Sequence, residues 1–181
     1  MMRDNVVLIG MPGSGKSTVG LLLAKSLGFE FIDLDLVISR QNNGLPLQAI
    51  LEGYGFADFL ERENRAALSL HCHQSVVSTG GSVVLSPAAM RHLKELGTLV
   101  FLDVPLPELA RRIRNITTRG IAFDRGQTLT DVYHQRLPLY QRWAEVTVPV
   151  APGEDVNHLA ARLLAELGRL GPDAPREKPA L

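Results

Sequence analysis

Gly10-Met11-Pro12-Gly13-Ser14-Gly15-Lys16-Ser17-Thr18 is the stretch on which the reading of the whole chain turns. It fits G-x-x-x-x-G-K-[ST] and lies between a short apolar run, Val6 to Ile9, and a helical stretch that begins near Lys16. Gly13 and Gly15 permit φ values that other residues resist. The N–H groups around Ser14 can therefore turn inward, at the positive end of the following helix, to hold phosphate oxygens. Lys16 adds a positive charge for the β- and γ-phosphates, Ser17 offers a hydroxyl to Mg²⁺, and Thr18 completes the loop. A strand before and a helix after favour this reading over a plain Gly-rich turn.

Working outward, four more short runs read as strands: Phe29 to Asp33, Ser75 to Thr79, Thr98 to Asp103 and Val146 to Val150. Helices are predicted to start near Lys16, Leu34, Pro46, Ala57, Pro87, Pro105 and Thr128. Val156, Leu159, Ala160, Leu163, Leu164 and Leu167 recur on one face of a last helix. This alternation predicts an α/β fold, a three-layer sandwich around a five-stranded parallel sheet, in a single domain over residues 1–170. Residues 171–181, with three prolines and no apolar period, read as a loose tail.

Composition narrows the function. The 181 residues carry 19 Lys plus Arg against 19 Asp plus Glu, so no net field favours a nucleic-acid backbone or an anionic membrane. The apolar run at the N-terminus is too short for a signal-peptide core or a span. A single cysteine, Cys72, suits a reducing compartment. The expectation is a cytoplasmic protein with a small-molecule substrate, no nucleic-acid or membrane partner, and a monomeric state.

Phe31-Ile32-Asp33-Leu34-Asp35 places two carboxylates at the carboxyl end of a predicted parallel strand, the edge where ligands of open α/β sheets gather. If the strand continues, alternation turns both acids the same way, one toward a metal and the other toward an acceptor hydroxyl. The other reading is that Asp33 or Asp35 caps the next helix.

With these residues in view, the chain resembles the shikimate kinase family, in the nucleoside-monophosphate-kinase-like group of P-loop folds. The resemblance runs from Val6 to about Leu167. It is carried by GMPGSGKST, FIDLD, VVSTGGS, LVFLDVP, the pair Arg111-Arg112, and RLPLY at Arg136 to Tyr140. It implies an ATP- and Mg²⁺-dependent kinase of amino-acid biosynthesis that turns shikimate into shikimate 3-phosphate. It further implies that Asp33 helps hold Mg²⁺, that Asp35 binds substrate hydroxyls and is the candidate base, and that Gly80 and Gly81 line the substrate site. Arg136 would bind the substrate carboxylate, Arg112 would lie along adenine, and Arg119 would be the lid arginine.

The lid also has a reading of its own. Thr117 to Gln127, TTRGIAFDRGQ, is a polar segment with two glycines between two helices, suited to bringing Arg119 over the phosphates while excluding water. The chain departs from the family at Phe56 and Leu60, where the family has Glu and an Arg that clamps the substrate carboxylate. Ser82 stands for a third glycine and Gly120 for a lid proline. Glu61, Arg62, Glu63 and Arg65 read as a solvated helix face, with Arg62 or Arg65 as candidate replacements for the missing arginine. Tyr140 and Trp143 read as packing residues. Besides shikimate, the readings kept open are another hydroxylated acid such as homoserine, a catalytically inactive nucleotide-binding regulatory protein, and a nucleotide hydrolase acting on a partner.

Overall fold

Val6–Ile9 is a run of four β-branched or leucine residues, all buried, and forms β1. Its neighbours are similarly short: β2 Glu30–Asp33, β3 Ser75–Ser78, β4 Thr98–Asp103 and β5 Val146–Pro149. The computed structural model describes residues 5–113 and 126–169. Every pairing in the sheet is parallel and the order is β2-β3-β1-β4-β5. Central β1 and β3 are wholly buried, as strands covered on both faces must be, whereas edge strand β5 alternates and ends on Pro149, where no ladder donor is needed.

Right-handed crossovers fix which face each helix covers. The step from β1 out to β2 runs one way along the sheet, and the later steps from β2 to β3, β4 and β5 run the other way. The helix of the first step, α1 Lys16–Leu27, therefore lies opposite α2 Leu34–Gln41, α3 Leu47–Leu68, α4 Pro87–Leu96, α5 Leu106–Ile113 and α6 Leu129–Trp143. The packing agrees: α1 pairs with the last helix, α7 Val156–Arg169, while α3 lies against α2 and α4. Leu8, Val77, Val100 and Phe101 fill the sheet layer, with Leu23 of α1 and Leu163 of α7 among the buried residues that cover it.

The expected elements are present, with boundaries that differ by a residue or so. The helices predicted near Pro46 and Ala57 join as α3, broken at Gly55, whose φ of 82° is left-handed. A short 3₁₀ turn at Val83–Leu85 carries no sequence signal, because its apolar residues show no period over three positions. One expectation needs correction. The strand stops at Asp33 and helix α2 begins at Leu34, so Asp33 and Asp35 do not reach one face by β alternation. The tail 171–181 and most of segment 117–127, with Arg119 and Gly120, lie outside the described residues. Among the described residues, no helix is long and apolar enough to cross a membrane.

Candidate active site

The loop between β1 and α1 curls at the carboxyl edge of the sheet. Gly13 and Gly15 hold φ of 78° and 96°, in the region where an L side chain is strained. Ser14 is buried, its N–H donating to the Met11 carbonyl at 3.1 Å. Lys16 opens α1 yet is only 7% exposed, and its Nζ donates to the carbonyl oxygens of Gly10 at 2.8 Å and Met11 at 2.9 Å. Burial lowers the Lys16 pKa to about 8 against the opposing pull of Asp35, Asp33 and Glu63. At neutral pH it remains mostly charged, held against the loop by its carbonyl oxygens.

The parallel ladder brings the hydroxyl and carboxylate candidates together. Asp33 at the end of β2 is in register with Ser78 at the end of β3, and the Ser78 hydroxyl shares a hydrogen bond of 3.2 Å with Ser17. Ser17 and Ser78 are in contact, and Asp33 ends the neighbouring strand beside Ser78, so oxygen donors of the hard kind that Mg²⁺ prefers lie at one edge of the sheet. No sequence pattern marks Ser78, because only the strand register places it here. Asp33 also caps α2, accepting from the Asp35 N–H at 3.0 Å. Capping and site placement are therefore one arrangement: the strand-to-helix turn carries Asp35 into the first turn of α2. There, burial first and Asp33 second raise the Asp35 pKa to about 6.

Gly80 and Gly81 follow β3, and the space they leave is already claimed. A methyl on Gly80 would lie 2.1 Å from Glu63 Oε1 and 3.3 Å from Asp35 Oδ1, and one on Gly81 would lie 2.5 Å from the Pro12 ring. Only glycine lets the backbone pass between the P-loop and these carboxylates.

Arg136 is fully buried on α6, on the face it shares with Val132 and Tyr140. It is hydrogen-bonded to the Tyr140 side chain, and burial pulls its pKa down while Tyr140 and Glu63 oppose the fall. Tyr140 stacks on Phe101 with ring centroids 5.1 Å apart and donates its hydroxyl to the Gly81 carbonyl, tying α6 to the glycine turn. Its reading as a packing residue holds, and it also braces Arg136.

Glu63 corrects the sequence reading. It is not on a solvated face: it is 1% exposed, beside Gly80. It accepts a side-chain hydrogen bond from Ser82, and burial raises its pKa to about 7, with Asp35 adding to the rise. Oε1 is buried without a hydrogen-bond partner. The signal was available, since Phe59, Glu63, Ala66 and Ala67 fall at helical spacing on the buried side of α3. Arg62 instead pairs with Asp58 and Asn42 and covers the Tyr54 ring, and Arg65 is exposed, so neither replaces an arginine at position 60. Phe56 packs on the core and Leu60 is half-buried.

On the other side of the loop, Arg112 hydrogen-bonds the Ser14 carbonyl at 3.2 Å and lines an open cavity of ≈ 280 Å³ with Gly15, Thr18, Gly153 and Val156. Buried Glu108 holds it there, accepting 2.8 Å bonds from Arg112 and Arg111. Arg111 and Arg112 keep the Glu108 carboxyl near a pKa of about 2. The E-x-x-R-R spacing of Glu108, Arg111 and Arg112, which puts all three on one helical side, is the sequence signal for this clamp.

Comparison with known proteins agrees with the geometry. The family model described as shikimate kinase matches residues 12–167. Human threonine synthase-like 1 is 33% identical over 166 residues, covering 91% of this chain, which spans only 22% of that protein's length. A shikimate kinase of Paracidovorax citrulli (strain AAC00-1) is 36% identical over 183 residues, covering 94% of this chain and 97% of the relative. In three dimensions the chain is similar to the shikimate kinase from Acinetobacter baumannii in complex with shikimate, with a TM-score of 0.84 and 29% identity. That match covers 94% of this chain and 96% of the other.

Proposed function

The chain belongs to the shikimate kinase family, and on that premise we propose that it transfers the γ-phosphoryl group of ATP to a hydroxyl of a small carboxylic acid, with shikimate as the leading acceptor and shikimate 3-phosphate as product. The observation that carries this reading is the meeting of Lys16, Asp33, Asp35, the Gly80-Gly81 turn and Arg136 at one edge of the sheet. A passive nucleotide binder has no use for the half-buried Asp35 carboxylate beside its P-loop lysine.

Each residue then has a task. The loop amides around Ser14 and the Lys16 ammonium hold and neutralise the phosphates, the largest contribution in a reaction that needs little covalent help from the protein. Ser17 and Asp33, with Ser78 near them, would hold Mg²⁺, which would supply charge neutralisation to the phosphates. Thr18 and Arg112 wall the cavity that suits the nucleotide base. Arg136 fixes the acceptor carboxylate, and Asp35, ionised at neutral pH, takes the hydroxyl proton. Arg119, in segment 117–127, is proposed to close over the phosphates. Nucleotide-dependent protection of that segment from hydrogen exchange tests this. The ATP requirement and the lone Cys72 suit a cytoplasmic setting, in a single catalytic domain that works as a monomer.

The test is a coupled ADP-release assay with shikimate, with the product identified by mass. Acceptor-dependent ADP matched by a phosphomonoester supports the reading; ADP release that ignores the acceptor removes it.

A further inference from the structure

The acceptor side carries more negative charge than a simple carboxylic acid needs. Among the described residues, Asp35, Asp33 and Glu63 act on the charge of Lys16 and Glu63 on that of Arg136, and Lys16 is committed to the phosphates. The acceptor therefore meets one guanidinium and two carboxylates, Asp35 and Glu63, which stand over the same glycine. A single methyl on Gly80 would touch both. Asp35 has a task in the proton transfer. Glu63 has none, yet it is 1% exposed and its Oε1 has no hydrogen-bond partner. A buried carboxylate oxygen left in this condition costs free energy unless a cation or donor meets it. The side chain nearest in helical spacing on the preceding turn is Leu60, which offers neither.

We propose that Glu63 is an acceptor-binding residue and that, besides shikimate, the site takes hydroxylated α-amino acids, whose ammonium group Glu63 receives while Arg136 holds the carboxylate. This deepens the kinase reading and rests on it. An α-amino acid presents its ammonium and carboxylate on one carbon, so its net charge is zero and it adds no further anion to the site. The reaction itself is unchanged. The acceptor hydroxyl oxygen forms the new bond to the γ-phosphorus, the bond from that phosphorus to the bridging oxygen breaks with its electron pair leaving on ADP, and the hydroxyl proton passes to Asp35.

The experiment compares two acceptors that differ only in the ammonium group, homoserine and 4-hydroxybutyrate, on the full chain, with shikimate as a third. The expected result is a kcat/KM for homoserine at least roughly tenfold above that for 4-hydroxybutyrate, the effect of one charge-assisted contact. Glu63→Gln should bring the ratio close to one. Leu60→Arg, which supplies a guanidinium one turn away to occupy Glu63, should also lower it and serves if the first variant does not fold. A ratio near one in the parent chain, or a full preference surviving in both variants, overturns the assignment. Turnover of shikimate with a ratio near one defeats this inference alone. Turnover of no acceptor defeats the kinase reading and this inference together.

Discussion

The two halves of the site solve the burial of charge in different ways. On the nucleotide side the charges are answered locally: Lys16 bonds two loop carbonyls, and Arg112 is shared between Glu108 and the Ser14 carbonyl. On the acceptor side, half-buried Asp35 and buried Glu63 stand over the same glycine with raised pKa values, and Glu63 keeps an oxygen unmatched. The first arrangement holds its shape before any ligand arrives. The second stays costly until an acceptor completes it, which is the expected form of a site whose specificity lies in what it leaves unpaired.

The largest effect that would break this division is at Lys16. Lys16→Ala should leave the fold intact and reduce turnover by a factor on the order of 10³, since the loop loses its side-chain charge on the transferring phosphate. Catalysis within tenfold of the parent, in an assay with folding checked by circular dichroism, would contradict the assignment of the nucleotide side. Next is Asp35→Asn, expected to retain ATP binding while lowering kcat by a factor on the order of 10². Asp33→Asn should instead raise the Mg²⁺ concentration needed for half-maximal rate. Equal metal dependence in both variants would merge two roles kept separate above.

The pH profile sharpens the comparison. Asp35 must be ionised and Lys16 protonated, so kcat/KM should fall below pH about 6 and again above about 8. Stability moves differently. Glu63 has a folded pKa, about 7, above its ordinary value of 4.5, so the folded state holds the extra proton between these limits. Its contribution is present at low pH and is lost as pH rises through about 7. Glu63→Gln should therefore raise stability at pH 8 by an amount on the order of 3 kcal/mol, read as a higher melting temperature, and have little effect near pH 4. A variant destabilised equally at both pH values would show that the ionised carboxylate is already compensated. The smallest expected effect returns to the nucleotide side. Glu108→Gln should raise the KM for ATP by roughly three- to tenfold with kcat little changed, because it loosens Arg112 without touching the reacting atoms.

The same division governs what could be read in the sequence. The P-loop is contiguous, so its glycines, Lys16 and Ser17 announce themselves, and the strands flanking it are runs of buried apolar residues. The acceptor side is drawn from α2, α3, the turn after β3 and α6, and no local pattern joins Asp35, Glu63, Gly80 and Arg136. Asp35 was visible from its place after β2, although the turn that delivers it is a helix start and not a continued strand. Arg136 was legible through family resemblance, while its complete burial depends on α6 packing over the 3₁₀ turn. Glu63 was hidden in a run of charges, Glu61 to Arg65, and only the apolar spacing around it betrays an inward side chain.

Cooperation of the two halves in moving a phosphoryl group to a small acid is read out by phosphorus NMR of the full chain incubated with MgATP and shikimate. ADP and one phosphomonoester of the acceptor are expected to accumulate in equal amounts, and both to fall together in Asp35→Asn. Free inorganic phosphate in place of the phosphomonoester, or ADP formed at the same rate without an acceptor, would contradict that cooperation.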